Sequence, residues 1–280
     1  MRGGAAGNKL ILEGGTISGE TVISARDDRS DVVNPVTVEI KGGTVKARDG
    51  VGVNINHRPH TGNFGNTGGD ITFDMSGGSI GETASDDTIT RVGTTGLAAG
   101  IQAVANTQPL RVNMTGSSVY ATQRGMSLSH SGTGPIDVDI GSGARIDTSG
   151  TGNRGAGVFV SRGGPGSPIQ IDSAGTILSA GFDGIFVIST ATGDTPITLN
   201  HTGSITAANS GIYVRQGNDA TSGHGTVSVT SGGDITTTGP TGIFLDLARG
   251  DAAADDAVSV SLTGGTIRAA STGVQVSSDS

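Results

Sequence analysis

Carboxylate and amide side chains recur at one polar position in several similar, strand-like segments of the sequence. This position is occupied in turn by Glu39, Asp74, Asn113, Asp139, Asp172 and Asn200. If the segments stack as parallel strands, these side chains form a column spaced about 4.8 Å apart. Oxygen ligands at that spacing would suit Ca²⁺, whereas neighbouring carboxylates repel unless they are solvated or paired. A calcium site and a solvated polar face are both open; we favour the solvated face and predict no metal or cofactor.

A second pattern consists of glycine, an aliphatic residue, an aromatic residue and another aliphatic residue. Its four full copies carry the aromatic residues Phe159, Phe186, Tyr213 and Phe244, which we call the aromatic ladder. Strand side chains alternate between faces, so the rings point outward if their aliphatic neighbours point into a core. The rings would then either stiffen the structure by stacking on one another or form a contact stripe for a partner. The ladder is the binding site that we predict from the sequence.

The histidines and aspartate pairs do not form a recognisable catalytic set. The five histidines lack the spacing of a zinc site. Gly223-His224-Gly225 resembles one motif of β-helical polygalacturonases, but those enzymes also need paired aspartates on neighbouring strands and an Arg-x-Lys strand. The aspartate pairs at 27–28, 86–87 and 255–256 are predicted to lie in loops. Nucleophile-elbow, phosphate-loop and zincin motifs are absent from the sequence. We therefore predict that the chain is not an enzyme and assign no catalytic residue.

The composition argues against several other classes of function. The chain of 280 residues has 50 glycines, no cysteine, no tryptophan and a formal net charge of −8. Without cysteine there is no disulfide framework, thiolate metal site or cysteine nucleophile. The acidic balance argues against binding to nucleic acid, which requires a basic surface. No run of about 18 apolar residues predicts a transmembrane helix.

All of these residues belong to a repeat of about thirty residues. Each copy contains an alternating strand, a glycine turn followed by a short Thr-Ile or Ser-Ile strand, and the glycine-aliphatic pattern. The aliphatic residue after the glycine turn recurs every 27 to 39 residues, at Ile17, Val45, Ile80, Val119, Ile146, Ile177, Ile205, Ile235 and Ile267. Three short strands per repeat predict an all-β, right-handed parallel β-helix solenoid of about nine coils. We expect residues 1–280 to form a single β-helical repeat domain.

With this repeat described, the chain resembles the passenger region of a bacterial autotransporter adhesin. The resemblance rests on the Gly-Gly-Thr-Ile and Gly-Ile-x-Val phrases, the absence of cysteine, the scarcity of aromatic residues and the acidic balance, from about Asn8 to Val276. It implies a non-catalytic, adhesive rod displayed at the bacterial cell surface, and a parent chain with an outer-membrane β-barrel. Host glycans, matrix proteins or further copies of the rod would be its partners. The strand pattern close to the C-terminus suggests a fragment of a longer passenger.

Two alternative functions stay open at this point. A polysaccharide-acting β-helix enzyme, of the polygalacturonase or lyase type, is disfavoured because the sequence offers neither tryptophan for sugar stacking nor a convergent acid pair. A phage tail-type fibre would share the β-helical repeat and would assemble as a trimer.

Overall fold

The structure is a computed structural model that describes residues 7–19, 22–26, 34–47, 50–56, 69–81, 99–105, 108–150, 155–164, 166–191, 193–217, 225–248 and 257–279. These residues form 27 β-strands and no helix, so they contain no helix that could span a membrane. The strands belong to three parallel sheets that the chain visits in turn. Each coil therefore contributes one strand to each sheet, and we call the three strands of one coil a rung.

The strands are numbered β1 to β27 in chain order. Sheet 1 contains the first strand of each rung: β1 (Asn8–Leu12), β4 (Val36–Ile40), β7 (Ile71–Met75), β10 (Leu110–Met114), β13 (Ile136–Ile140), β16 (Ile169–Ser173), β19 (Ile197–His201), β22 (Val227–Ser231) and β25 (Val258–Leu262). Sheet 2 contains the second strands: β2 (Thr16–Gly19), β5 (Thr44–Ala47), β8 (Ser79–Ile80), β11 (Ser118–Ala121), β14 (Arg145–Thr148), β17 (Thr176–Ser179), β20 (Ser204–Ala207), β23 (Asp234–Thr237) and β26 (Ile267–Arg268). Sheet 3 contains the third strands: β3 (Ile23–Arg26), β6 (Val53–Asn56), β9 (Ala99–Ala105), β12 (Arg124–His130), β15 (Val158–Arg162), β18 (Ile185–Ser189), β21 (Ile212–Gln216), β24 (Thr241–Ala248) and β27 (Thr272–Asp279).

The rungs stack in a constant register. In sheet 1, for example, Val112 pairs with Val138, and Val138 pairs with Ile171. Each described sheet has nine strands, so seven of the rungs lie between two neighbours. The all-β, parallel solenoid with three strands per coil is therefore confirmed. Its right-handed winding stays a prediction.

The core is a column of aliphatic side chains enclosed by the three sheets. Along β16, Ile169 and Ile171 are buried while the alternating residues Gln170 and Asp172 are partly exposed. This alternation follows from the pleat of a strand with one face towards a core. Because the register is constant, like residues stack on like residues, and the buried aliphatic side chains form one continuous cluster. Burial of these side chains is the main apolar stabilisation of the rod.

A glycine at or just before the start of most third strands allows the corner between sheets 2 and 3 to close. A Cβ atom on Gly211 would lie 2.2 Å from Cγ2 of Ile235 in the next rung and 2.9 Å from the carbonyl oxygen of Gly242. Gly184 has the same relationship to Ile205, with a distance of 2.3 Å. Any larger residue would collide with the isoleucine column. Close packing between rungs thus explains why glycine opens the repeated pattern.

Candidate binding surface

The four aromatic residues lie side by side on the outer face of sheet 3. Phe159 pairs with Phe186, Phe186 with Tyr213, and Tyr213 with Phe244. All four side chains are half-buried, whereas their aliphatic neighbours, such as Val187, are fully buried. The predicted outward orientation and the predicted run over four consecutive rungs are confirmed. That the ladder binds a partner stays a prediction.

The rings of the ladder cover much of one another. The centroids of Phe186 and Tyr213 are 4.9 Å apart and their planes differ by 8°, and Tyr213 and Phe244 are 5.0 Å apart with planes that differ by 16°. Phe159 meets Phe186 edge-on at 5.4 Å, and Phe182 meets Phe186 edge-on at 5.9 Å. Both faces of Tyr213 are therefore occupied by neighbouring rings. An external ligand would meet ring edges rather than the open ring faces on which sugars stack.

An arginine side chain lies over the first ring of the ladder, Phe159. The Cζ atom of Arg124 lies 3.7 Å from the ring centroid of Phe159, a cation–π contact. Its Nη1 also donates a hydrogen bond of 3.3 Å to Oγ of Ser127, the residue that precedes Phe159 in the column. At the other end the column continues from Phe244 to Gln275. A cationic group thus lies at one end of the ladder and an amide at the other.

A polar group borders the middle of the ladder. Oη of Tyr213 donates a 2.9 Å hydrogen bond to Oδ2 of Asp246, and Nε of Arg215 lies 3.7 Å from the same oxygen. Burial, together with this hydrogen bond to a carboxylate, raises the pKa of Tyr213 to about 12. The phenol is therefore a neutral donor at neutral pH. Asp246 and Arg215 remain partly exposed beside it, so the ladder has both apolar and charged neighbours.

Asp183, at the corner that precedes the ladder strand β18, is a buried carboxylate that we did not predict from the sequence. Its Oδ1 accepts hydrogen bonds of 2.8 Å from Nδ2 of Asn209 and from the backbone N–H of Ser210. Burial raises its pKa to about 6, although these hydrogen bonds act in the opposite direction. The equivalent place holds a small buried residue in several other rungs, such as Ala156 and Thr241, but it holds Arg124 in the rung of β12. An acidic residue at a position that often holds a small residue was the sequence feature that could have pointed to Asp183.

Arg162 and His130 stack inside the opposite corner, at the end of sheet 3. Nη2 of Arg162 donates to the carbonyl oxygens of Gly132 (3.0 Å) and Gly134 (2.7 Å). Nδ1 of His130 accepts from the N–H of Gly132 (3.1 Å), so Nε2 carries the proton and donates to the carbonyl of Gln108 (2.9 Å). Burial lowers the pKa of Arg162 to about 10 and that of His130 to about 4. These contacts hold the turn before β13 in place.

The predicted acidic column also forms, on the outer face of sheet 1. Register aligns its members in order along the stack: Glu39, Asp74, Asn113, Asp139, Asp172 and Asn200. The two asparagines of the column each donate a hydrogen bond to a neighbouring carboxylate. Asn113 donates to Asp74 at 2.6 Å and Asn200 donates to Asp172 at 2.7 Å.

Lysine side chains pair with the first member of the column. Nζ of Lys9 lies 2.6 Å from Glu39, and Nζ of Lys41 lies 3.4 Å from its other oxygen. The hydrogen bond from Lys9 is the main reason why the pKa of Glu39 is lowered. These contacts are those of a paired polar face, the interpretation that we favour. Within the described ranges, no three His, Asp or Glu side chains are grouped as metal ligands would be.

Of the remaining candidate catalytic residues, the structure describes His130 and His201. His57, His60, His224 and the aspartate pairs at 27–28, 86–87 and 255–256 lie outside the described residues. His201 is buried in sheet 1, with Nε2 at 3.5 Å from the carbonyl of Asp234, and burial lowers its pKa. His130 and His201 therefore belong to the interior of the rod.

Comparisons with known proteins add no further assignment. The chain matches no family model, no curated protein and no solved structure. A functional proposal for this chain therefore rests on its sequence pattern and on the geometry of the described residues.

Proposed function

We propose that this chain is a structural or adhesive rod displayed on a bacterial surface, of the autotransporter-passenger type, with no catalytic activity. The proposal is supported chiefly by the uninterrupted register of the stacked rungs. The resemblance to such passengers rests on two phrases, and each forms a defined part of a rung. The Gly-Gly-Thr-Ile phrase forms the turn into sheet 2, and the Gly-Ile-x-Val phrase begins the strand of sheet 3. A stack of parallel strands with a continuous apolar core is a stiff, elongated element suited to holding a contact surface away from a membrane.

Within this proposal, the aromatic ladder is the contact surface. Ring edges, the Arg124 guanidinium and the Asp246–Arg215 pair all lie along one face of sheet 3. Aromatic and arginine side chains are enriched in protein interfaces, where a partly apolar surface is combined with polar groups. Since the ring faces are largely taken up by one another, a matrix protein suits this surface better than a glycan that stacks on open rings.

Binding to arrayed matrix proteins and host glycans tests the adhesive role. The test variant replaces Phe159, Phe186, Tyr213 and Phe244 with leucine, which keeps an apolar side chain on each rung. The control variant carries Thr198→Ala and Ser228→Ala, outward positions of sheet 1 in two of the same rungs. Circular dichroism and melting curves verify that both variants fold.

The outcomes of the array separate the possibilities. Binding by the native chain and the control, but not by the leucine variant, supports the ladder as the adhesive surface. Equal binding by all three proteins contradicts a contact role for the ladder. If the native chain binds nothing, the adhesive role is contradicted and the structural role alone is supported.

Surface display is tested separately by placing the chain between a secretory signal and an outer-membrane autotransporter barrel. We expect the chain to reach the cell surface, where added protease removes it from intact cells. Retention in the periplasm, with a functional passenger of similar length as the control, would contradict the proposal.

One observation favours a polysaccharide-acting enzyme as the second candidate. Asp139 and Asp172 are stacked on neighbouring rungs of sheet 1 and both point outward. Glycoside hydrolysis uses two carboxyl groups that flank the scissile bond, and these two side chains are neighbours on the outer face of sheet 1. Release of reducing ends from acidic and neutral polysaccharides, abolished by Asp139→Asn, would support this candidate over the non-catalytic rod.

A further inference from the structure

Arg162 is a fully buried cation whose hydrogen-bonding capacity is only partly used. Its side chain lies inside the corner at the end of β15, and its exposed fraction is 0%. Nη2 donates to the carbonyl oxygens of Gly132 and Gly134, whereas Nε and Nη1 have no acceptor among the described residues. A buried N–H without an acceptor costs free energy, and the cost is greater for a charged group. Two donors of one guanidinium therefore need an acceptor at this corner.

No acidic side chain in the described part of the chain pairs with Arg162. The ion pairs of these residues all involve other lysines and arginines. Burial lowers the pKa of Arg162 to about 10, so the guanidinium is still protonated at neutral pH. Because a fully buried charge is normally paired with an opposite charge, a group that satisfies this corner has to carry negative charge as well as accept hydrogen bonds.

The side of Arg162 that faces the preceding rung cannot supply the acceptor. His130 pairs with Arg162 in the register of sheet 3 and is buried as well. Both ring nitrogens of His130 are already used, because Nδ1 accepts from a backbone N–H and Nε2 donates to a backbone carbonyl. The acceptor is therefore expected on the other side, towards the following rung.

Ser189 offers room and a further donor on that other side. It follows Arg162 in the column and is itself followed by Gln216, so the shortest of these buried side chains lies directly after the arginine. In the next rung Gln216 fills its corner by donating to the carbonyl of Thr195 (2.9 Å), whereas serine fills less of the same space. Oγ of Ser189 accepts from the N–H of Ala191 (3.5 Å), so its hydroxyl proton can be donated to another group.

We propose that the corner between Arg162 and Ser189 binds a small monovalent anion with the charge and size of chloride. Nε–H and Nη1–H of Arg162 and the hydroxyl of Ser189 donate to the ion. A single negative charge balances the single guanidinium, and enclosure between two rungs favours a halide over a larger carboxylate or oxyanion. The ion links β15 to β18, which are adjacent strands of sheet 3. This inference does not depend on the adhesive role proposed above.

Thermal unfolding of the full 280-residue chain in salts of different anions tests the proposal. At constant ionic strength, replacing gluconate with chloride or bromide should raise Tm by about 2–4 °C per tenfold increase in halide above its dissociation constant. Arg162→Gln, which copies Gln216 from the same column, should lose this rise. Arg111→Gln removes a partly exposed arginine from sheet 1 and is the matched control, which should keep the rise. Equal halide responses in the Arg162→Gln variant and the control, or no response in the native chain, would overturn the proposal.

Anomalous diffraction from native crystals grown in bromide gives a readout that does not depend on the folding of a variant. We expect a bromide peak within hydrogen-bond distance of Nε and Nη1 of Arg162, on the side of Ser189. A water molecule at that position, or protein atoms that fill it, would overturn the proposal even if the halide salts raised Tm. Bromide peaks confined to the surface of the rod would overturn it too, because they would show adventitious ions only.

Discussion

The ring of Tyr213 lies flat against the ring of Phe186, with centroids 4.9 Å apart and planes within 8° of parallel. The constant register of sheet 3 produces this relationship, because it places the two residues opposite each other on adjacent rungs. The contact links two rungs on the outer face, where no core packing does so. The ladder therefore stabilises the stack whether or not it also binds a partner.

A double-mutant cycle on this pair should measure the stacking directly. With Phe186→Leu and Tyr213→Leu, we expect a coupling free energy of about 0.5–1.5 kcal/mol, the usual contribution of an aromatic pair beyond area burial. Urea unfolding of the four proteins in the cycle gives the value. Phe159 and Phe244 form the control pair, because they are three rungs apart and should couple by less than about 0.5 kcal/mol. Equal coupling in the two cycles would show that the rings do not act through contact.

The phenol of Tyr213 should lose its proton at an unusually high pH. Its pKa of about 12 arises from burial first and from the hydrogen bond to Asp246 second. The chain has two tyrosines, so Tyr120→Phe leaves Tyr213 as the only phenol to follow by tyrosinate absorbance. We expect a midpoint well above the ordinary value of about 10. Adding Asp246→Asn should lower the midpoint, and an unchanged midpoint in that variant would contradict the role of the carboxylate.

Asp183 should make the free energy of unfolding fall as pH rises. Its pKa of about 6 in the folded chain exceeds the ordinary value of 3.8, so the folded state favours the protonated form. The resulting stabilisation is complete below about pH 4 and is lost as pH rises to about 6. Asp183→Asn cannot titrate. We expect urea unfolding to show this variant gaining on the order of 2 kcal/mol relative to the native chain between these pH values.

His130 should make the free energy of unfolding rise with pH, the opposite of Asp183, over nearly the same pH range. Burial lowers its pKa to about 4 from 6.5, so the folded state favours the neutral ring. Its contribution is complete above about pH 6.5 and is lost as pH falls towards 4. His130→Gln, which copies Gln216 from the same column, should therefore gain stability relative to the native chain on acidification. If the pH profiles of the two variants had the same slope relative to the native chain, one of these assignments would be wrong.

Two glycines at equivalent positions should respond oppositely to alanine. Gly211→Ala places a methyl group against Ile235 and the Gly242 carbonyl, and we expect it to lower the free energy of unfolding by about 1–3 kcal/mol. Gly273 occupies the same place in the last rung, where a Cβ atom would lie 3.9 Å from the nearest atom, Cγ2 of Ile267. Gly273→Ala should be neutral or slightly stabilising, because alanine restricts the unfolded chain. Melting curves of both variants give the comparison, and similar losses would contradict the close-packing argument.

The amino-acid sequence by itself determined the rungs, the three sheets and the columns. Alternation in segments such as Val36–Ile40 requires one buried face, and repetition at about thirty residues places equivalent residues on adjacent strands. Parallel stacking preserves that order, so the aromatic ladder and the acidic column could be predicted with their members in sequence.

Only the tertiary structure decided how these side chains use their surroundings. The stacking that covers both faces of Tyr213, the position of Arg124 over Phe159 and the burial of Asp183 all depend on side chains from different rungs. Local sequence does not specify these contacts, because the residues involved are about thirty positions apart and their rotamers are set by the packing of one rung on the next. The repeat thus determined which residues are neighbours, and packing between rungs determined which of their surfaces remain available to a partner.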